Sequence, residues 1–202
     1  MLARRGSPMI KRHVEGTGGF HHHYPRLAVI VTCHARGKDN AMAVAWHSSV
    51  SQNPPLIGVS IAPKRFTYEL ILEAQEFAIN FLPIEKAELI AAVGGSPGRE
   101  VDKFQKFNLA KEQPLKTTAP ILKDAYATYE CKLAEHQTYG DHEWFVGEIV
   151  ATHFMEESFN PAGILDLAHV NPALFLGAEL YATTAKGSVR HLERDRYGKG
   201  YK

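Results

Sequence analysis

Residues 26–62 read RLAVIVTCHARGKDNAMAVAWHSSVSQNPPLIGVSIA, and the fold is decided by how this stretch breaks up. Arg26–Cys33 is short, apolar and rich in β-branched residues. Tyr24-Pro25 bound it on one side and Arg36-Gly37-Lys38-Asp39-Asn40 on the other, which is the composition of a strand and a turn. Ala41–Trp46 resumes the apolar character, and the polar cluster His47–Asn53 interrupts it. Pro54-Pro55 then precede another strand-like run, Leu56–Ala62.

Working outward, Thr67 reads as a helix cap with Glu69 in the first turn and Phe66, Leu70 and Ala74 at four-residue spacing. Phe77–Leu82 is strand-like. Ile84–Val93, preceded by Pro83 and stopped by Gly94-Gly95, reads as a second short helix. A third helical stretch after Gly98 sets Val101 and Phe104 on one side and Arg99, Lys103 and Lys106 along another, and Lys111–Pro120 is loop-like. Two long segments, Ala125–Gln137 and Glu143–Phe154, flank the hairpin composition Thr138–His142. Leu174–Gly177 gives a last short strand. Five to seven strands with short connections and two or three inserted helices predict a mainly β protein, a closed or nearly closed antiparallel barrel rather than a doubly wound sheet.

The chain has 202 residues, 45% hydrophobic and 22% charged, which suits one domain with a real core and excludes disordered and low-complexity classes. The sequence divides into an N-terminal extension over 1–24, a barrel domain over 25–185 and a basic tail over 186–202. A net charge of +1 conceals +4 at each end, residues 1–12 and 186–202, leaving −7 for 13–185. The basic ends read as solvated tails. The balanced sum argues against a nucleic-acid partner, and the lack of a long apolar run against a membrane one, with the cytoplasm as the expected compartment. Cys33 and Cys131, 98 positions apart, supply too few thiols for a zinc or iron–sulfur site.

Hydrolase and phosphoryl-transfer signatures are missing, and Val93–Gly98 reads as a helix stop because Pro97 removes an amide from any phosphate cradle. Three consecutive histidines, His21–His23, point to different sides of a strand, so no metal site is expected there. A stronger constellation lies between Asn40 and Thr67. The polar break beginning at His47 supplies hydroxyls and amides, and Lys64-Arg65 bring two cations to a helix start, where a phosphate monoester can bind. A solvated basic turn before an ordinary helix fits the same residues.

The run Asn40–Thr67, with Trp46, His47-Ser48-Ser49 and Pro54-Pro55 inside it, resembles the flavin reductase-like, FMN-binding split-barrel proteins, flavoredoxins in particular. Glu76–Asn80, Gly98–Phe104, Glu130-Cys131-Lys132, Tyr139–His142 and Val146–Val150 follow in the order that family shows, so the likeness spans Pro25 to Gly177. The family often has Thr-Pro where this chain has Ser48-Ser49.

The resemblance implies an FMN-binding split β-barrel of antiparallel Greek-key strands, assembled as a homodimer with one FMN per subunit near the interface. It also implies flavin contacts at Asn40, Trp46, Thr67, Lys103, His142 and Phe175. On this reading Thr67, with Ser48, Ser49 and Arg65 as further candidates, lies toward the phosphate, His47 is a further cofactor contact, and Asn40 lies toward the polar edge of the ring. Trp46 and Phe175 offer flat surface, though core packing explains them equally well. Lys103 supplies a fixed cation near the reduced ring or a point charge for phosphate; a solvated stripe is its alternative, and a turn role that of His142. The implied activity is hydride transfer from NADH or NADPH to flavin N5, with no catalytic side chain, and electron passage to a small-molecule or protein acceptor. A non-enzymatic FMN electron carrier is the second expectation.

Overall fold

In the computed structural model, which describes residues 10–185, 187–194, 196 and 198, the opening run becomes five strands: β1 (Arg26–Leu27), β2 (Val29–Ala35), β3 (Lys38–Val44), β4 (His47–Gln52) and β5 (Pro55–Ile61). Helix α1 (Phe66–Ala74), β6 (Glu76–Phe81), a 3₁₀ turn at Ile84–Lys86, α2 (Ala87–Gly95) and α3 (Lys103–Lys106) follow. The remainder is β7 (Lys111–Glu112), β8 (Ile121–Leu122), the long pair β9 (Ala127–Tyr139) and β10 (His142–Phe154), a 3₁₀ turn at Glu156–Ser158, β11 (Leu174–Gly177) and β12 (Leu180–Ala182). The basic-end residues 1–9, 186, 195, 197 and 199–202 lie outside the described residues.

Seven strands form one antiparallel sheet in the order β3-β2-β6-β9-β10-β5-β4. Its two edges, β3 and β4, are consecutive in the chain and separated only by Ala45-Trp46. The chain itself therefore crosses the gap between the edges, and the sheet must curl into a barrel split at that point. The Ser60 amide donates to the Trp46 carbonyl at 2.9 Å, which holds the crossing residue against β5. The non-sequential neighbours β2–β6, β6–β9 and β10–β5 give the expected Greek-key character.

Burial explains which sequence signals were strong. Val29, Val31 and Cys33 of β2 join Val59, Ile61, Phe77, Ile79 and Phe145 in one core, to which α1 adds Leu70 and Ile71. The alternate residue Ile30 packs instead with Ala41, Leu82, Ile90, Val93 and Phe104 under α2 and α3. With both faces covered, β2 reads as a continuous apolar run. Edge strand β4 has Ser48, Ser49 and Val50 exposed and no apolar face, so the polar interruption expected at His47–Asn53 is in fact a strand.

Three local expectations also change. Arg65, not Thr67, is the N-cap of α1, without a side-chain cap bond, and Thr67 sits buried inside the first turn. The third helix shrinks to one turn, capped by Asp102 accepting from the Gln105 amide at 3.0 Å. Helix α2 runs on through Gly94-Gly95 rather than stopping before them. The β9–β10 connection is only Gly140-Asp141, and Gly140 has the positive φ of 62° that a two-residue type II′ turn places at its first position.

Candidate functional site

Two cavities meet beside the barrel split and share Met42, Ala43, Lys64 and Arg65 in their walls. The larger is a cleft of about 520 Å³ with Tyr24, Trp46, His142 and Phe175 on its sides. The smaller, about 170 Å³, lies between the start of α1 and the loop after α2, and Asn40, Thr67, Ser96, Gly98 and Lys103 line it.

Each aromatic wall is set by a different element. Trp46 occupies the crossing from β3 to β4, and its indole donates to the Tyr24 hydroxyl at 2.7 Å. His142 follows the tight turn into β10, and its ring lies 4.8 Å from that of Trp46. Its Nδ1 meets the Asp141 carboxylate at 2.7 Å; since a carboxylate only accepts, Nδ1 carries the proton. Phe175 reaches the cleft because β11 pairs with β1 in the register Arg26↔Phe175, and Tyr24 meets it edge-on at 5.9 Å. The rings of His21 and His23 lie tilted beside Tyr24 at 5.1 and 4.8 Å.

The smaller cavity is held by buried polar bonds. The Asn40 amide donates to the Thr67 hydroxyl at 2.8 Å, joining β3 to α1. Lys103 is 5% exposed, and its ammonium donates to the Ala41 and Val93 carbonyls, both at 2.8 Å. It thus ties β3 to the last turn of α2, where a cation complements the helix dipole. Burial, then the nearby Arg65 charge, lowers its pKa to about 8. The solvated stripe of Arg99, Lys103 and Lys106 therefore does not form. Arg99 instead pairs with Glu69 and covers the Phe66 ring at 5.2 Å. Gly98 approaches so closely that a Cβ there would stand 2.5 Å from Asn40 Oδ1.

Against these bonded groups stand open ones. Among the described residues the exposed side chains of Lys64 and Arg65 make no hydrogen bond or ion pair, and the amides of Phe66 and Thr67 have no main-chain acceptor. Cations and unpaired first-turn amides on one helix start form an anion-binding arrangement.

Of the residues expected from the sequence, Asn40, Thr67 and Lys103 meet in the smaller cavity, Trp46, His142 and Phe175 in the cleft, and Arg65 borders both. His47, Ser48 and Ser49 line neither. The His47 ring turns inward to the Leu27 carbonyl at 2.9 Å, where burial lowers its pKa, and Ser48 and Ser49 face solvent on β4. Sequence reasoning missed Tyr24, which it placed at the end of the N-terminal extension as the bound of the first strand. It also set aside Ser96–Gly98 as a helix stop, although glycine beside a polar strand marks a close approach.

A seven-stranded antiparallel sheet curled into a barrel that is split between its consecutive edge strands defines the split-barrel fold. The chain belongs to the flavin reductase like domain family, whose match covers residues 21–180. It is similar to the FMN-binding protein from Thermus thermophilus, solved with bound 1-cyclohex-2-enone, at 34% identity and a TM-score of 0.79 over 92% of this chain and 99% of that one. Flavoredoxin from Methanosarcina acetivorans matches at 26% identity and a TM-score of 0.78, over 93% of this chain and 97% of that one. The reductase component of the FADH(2)-dependent resorcinol hydroxylase of a Rhizobium species is 27% identical over 66% of this chain and 73% of its own length. The matched stretch makes up 78%, 58% and 66% of the lengths of relatives from Pyrococcus abyssi, Aeropyrum pernix and Archaeoglobus fulgidus.

Proposed function

We propose that this chain is an FMN-binding oxidoreductase of the flavin reductase type, taking hydride from NADH or NADPH and passing electrons to a second acceptor. The observation that carries the reading is the junction of the two cavities: a flat-walled cleft for a ring system opens into a small polar cavity for a phosphorylated tail. The cleft's volume of about 520 Å³ falls in the range of about 300 to 1,000 Å³ usual for small-molecule sites, and the smaller cavity of about 170 Å³ extends it.

Arg65, the Thr67 hydroxyl and the first-turn amides of α1 hold the phosphate. Lys103 spends two of its three protons on carbonyls and has one left for the cavity it lines. Asn40, expected at the polar edge of the ring, is bonded to Thr67 and belongs in this reading to the tail end of the site. Trp46, His142 and Phe175 orient the ring and exclude water from one side of it. When bound, FMN supplies the hydride-accepting N5, so the protein's own work is positioning and electrostatics.

A homodimer and a cytoplasmic setting complete the proposal; two buried free thiols, Cys33 and Cys131, suit a reducing compartment. Sedimentation is expected to give twice the chain mass. The decisive experiment mixes FMN-loaded protein anaerobically with NADH and with NADPH. Bleaching with either donor supports the reductase; flavin that stays yellow with both overturns it, and flavin retained through gel filtration in that case leaves an electron carrier.

A further inference from the structure

We propose that residues 10–24 form a releasable strap: docked, it braces the aromatic wall of the cleft and holds the flavin in; released, it lets flavin enter and leave. The strap acts on the ring end of the site, so the proposal rests on the flavin reading and concerns the regulation of that same site.

The attachment of this segment sets it apart from the rest of the molecule. Residues 10–23 are exposed throughout, and among the described residues the main-chain hydrogen bonds of the segment are internal, Phe20 to Thr17 at 3.2 Å and Tyr24 to His21 at 3.0 Å. Main-chain ties to the barrel begin with β1, where Arg26 pairs with Phe175. A segment with few buried contacts and no ladder bonds belongs to the part of a protein that opens locally at small cost in free energy. The strap can therefore leave without breaking the sheet.

Its side chains, by contrast, grip the cleft. The Phe20 ring lies 5.5 Å from that of Trp46, which has His142 at 4.8 Å as a further ring neighbour. The Trp46 indole donates to the Tyr24 hydroxyl at 2.7 Å, and Tyr24 is itself a wall of the cleft. His21 seats in a notch at Gly177, the end of β11, where a Cβ would stand 2.7 Å from the imidazole and the φ of 91° favours glycine. Release takes Tyr24 away from the cleft and leaves the indole of Trp46 without its acceptor, so one side of the site opens.

Docking is also opposed from within. Phe20 is held at a φ of 30°, which a bulky side chain disfavours, and it remains 48% exposed. Ring contacts favour the docked position and backbone strain opposes it, so the two positions of the strap lie close in free energy, as a gate requires.

The test uses the full chain and reads two rates: FMN release from the loaded protein, by the rise of free-flavin fluorescence on dilution, and FMN uptake, by stopped-flow mixing with flavin-free protein. In Phe20→Ala both rates are expected to rise by the same factor, roughly threefold to tenfold for one aromatic contact, while the affinity changes less than about twofold. A gate speeds entry and exit alike, whereas a static wall that loses a contact speeds exit alone. Phe20→Tyr keeps the ring and is expected to hold both rates within about twofold of the native ones. His21→Ala, which empties the notch at Gly177, is expected to act in the same direction as Phe20→Ala. Faster release with a matching loss of affinity, or rates indifferent to both substitutions, would overturn the strap and leave the flavin reading standing. Protein that takes up no FMN at all would remove that reading, and the strap with it.

Discussion

The two cavities are neighbours that share four residues yet are built on opposite principles. The smaller is closed on itself: Asn40 is spoken for by Thr67, and Lys103 by two carbonyls, so its polar groups hold secondary-structure elements together before any ligand arrives. Open groups stand at the shared wall and in the cleft: Lys64 and Arg65, which border both cavities, and the Tyr24 proton are unclaimed by the described residues. The contrast teaches that in this protein the tail end of the site doubles as a structural joint, whereas the ring end is free to be tuned. Substitutions in the first region should therefore damage folding and binding together, and those in the second binding alone.

The strongest way to break that contrast is Lys103→Met. Two buried carbonyls lose their donor, and urea unfolding should show a loss of about 2 to 4 kcal/mol together with poorer FMN retention. The same residue has a pH signature. Its folded pKa of about 8 lies below that of an unfolded lysine, near 10.4. Between those values the unfolded chain binds more protons, so this residue makes stability rise with pH across that window. The stability gap between native protein and Lys103→Met should therefore widen from pH 7 to 10 as the native protein gains; a gap independent of pH would contradict the shift.

Next in size, Thr67→Ala removes both the acceptor for Asn40 and a phosphate donor, and FMN affinity measured by fluorescence quenching should fall by about 1 to 3 kcal/mol. Gly98→Ala sharpens the comparison by crowding Asn40 Oδ1 without touching a charge. Roughly tenfold weaker FMN binding is expected. The smallest effect belongs to Arg65→Ala. FMN binding should weaken roughly threefold to tenfold at low salt and less at high salt, with the melting temperature nearly unmoved, because this exposed side chain makes no hydrogen bond or ion pair among the described residues.

Much of the frame was legible because burial leaves a mark on composition. β2, β5, β6 and the β9–β10 pair carry apolar residues wherever both faces or one face are covered, and their runs stood out. β4 carried no such mark, since an edge strand with solvent on its sides needs no apolar alternation. The site was legible in fragments: Trp46, Thr67, Lys103 and Phe175 come from four separate elements, and nothing in their spacing says that a β1–β11 pairing brings Phe175 beside Tyr24. Glu130 shows the same limit. Burial alone would raise its pKa, yet bonds from His153, Leu115, Lys116 and Thr117 bring it to about 2, and none of those partners is its sequence neighbour.

By itself the sequence determined a small antiparallel barrel with cations at the first helix start and Trp46 closing an apolar run before a polar break, because hydrophobic periodicity and turn chemistry are local properties. Only the tertiary structure decided that Lys103 is a buried tie rather than a solvated charge, that Ser48 and Ser49 face away from both cavities, and that Tyr24 stands in the wall of the cleft. Those outcomes depend on which groups meet across the sheet, and desolvation and hydrogen bonding act on neighbours in space.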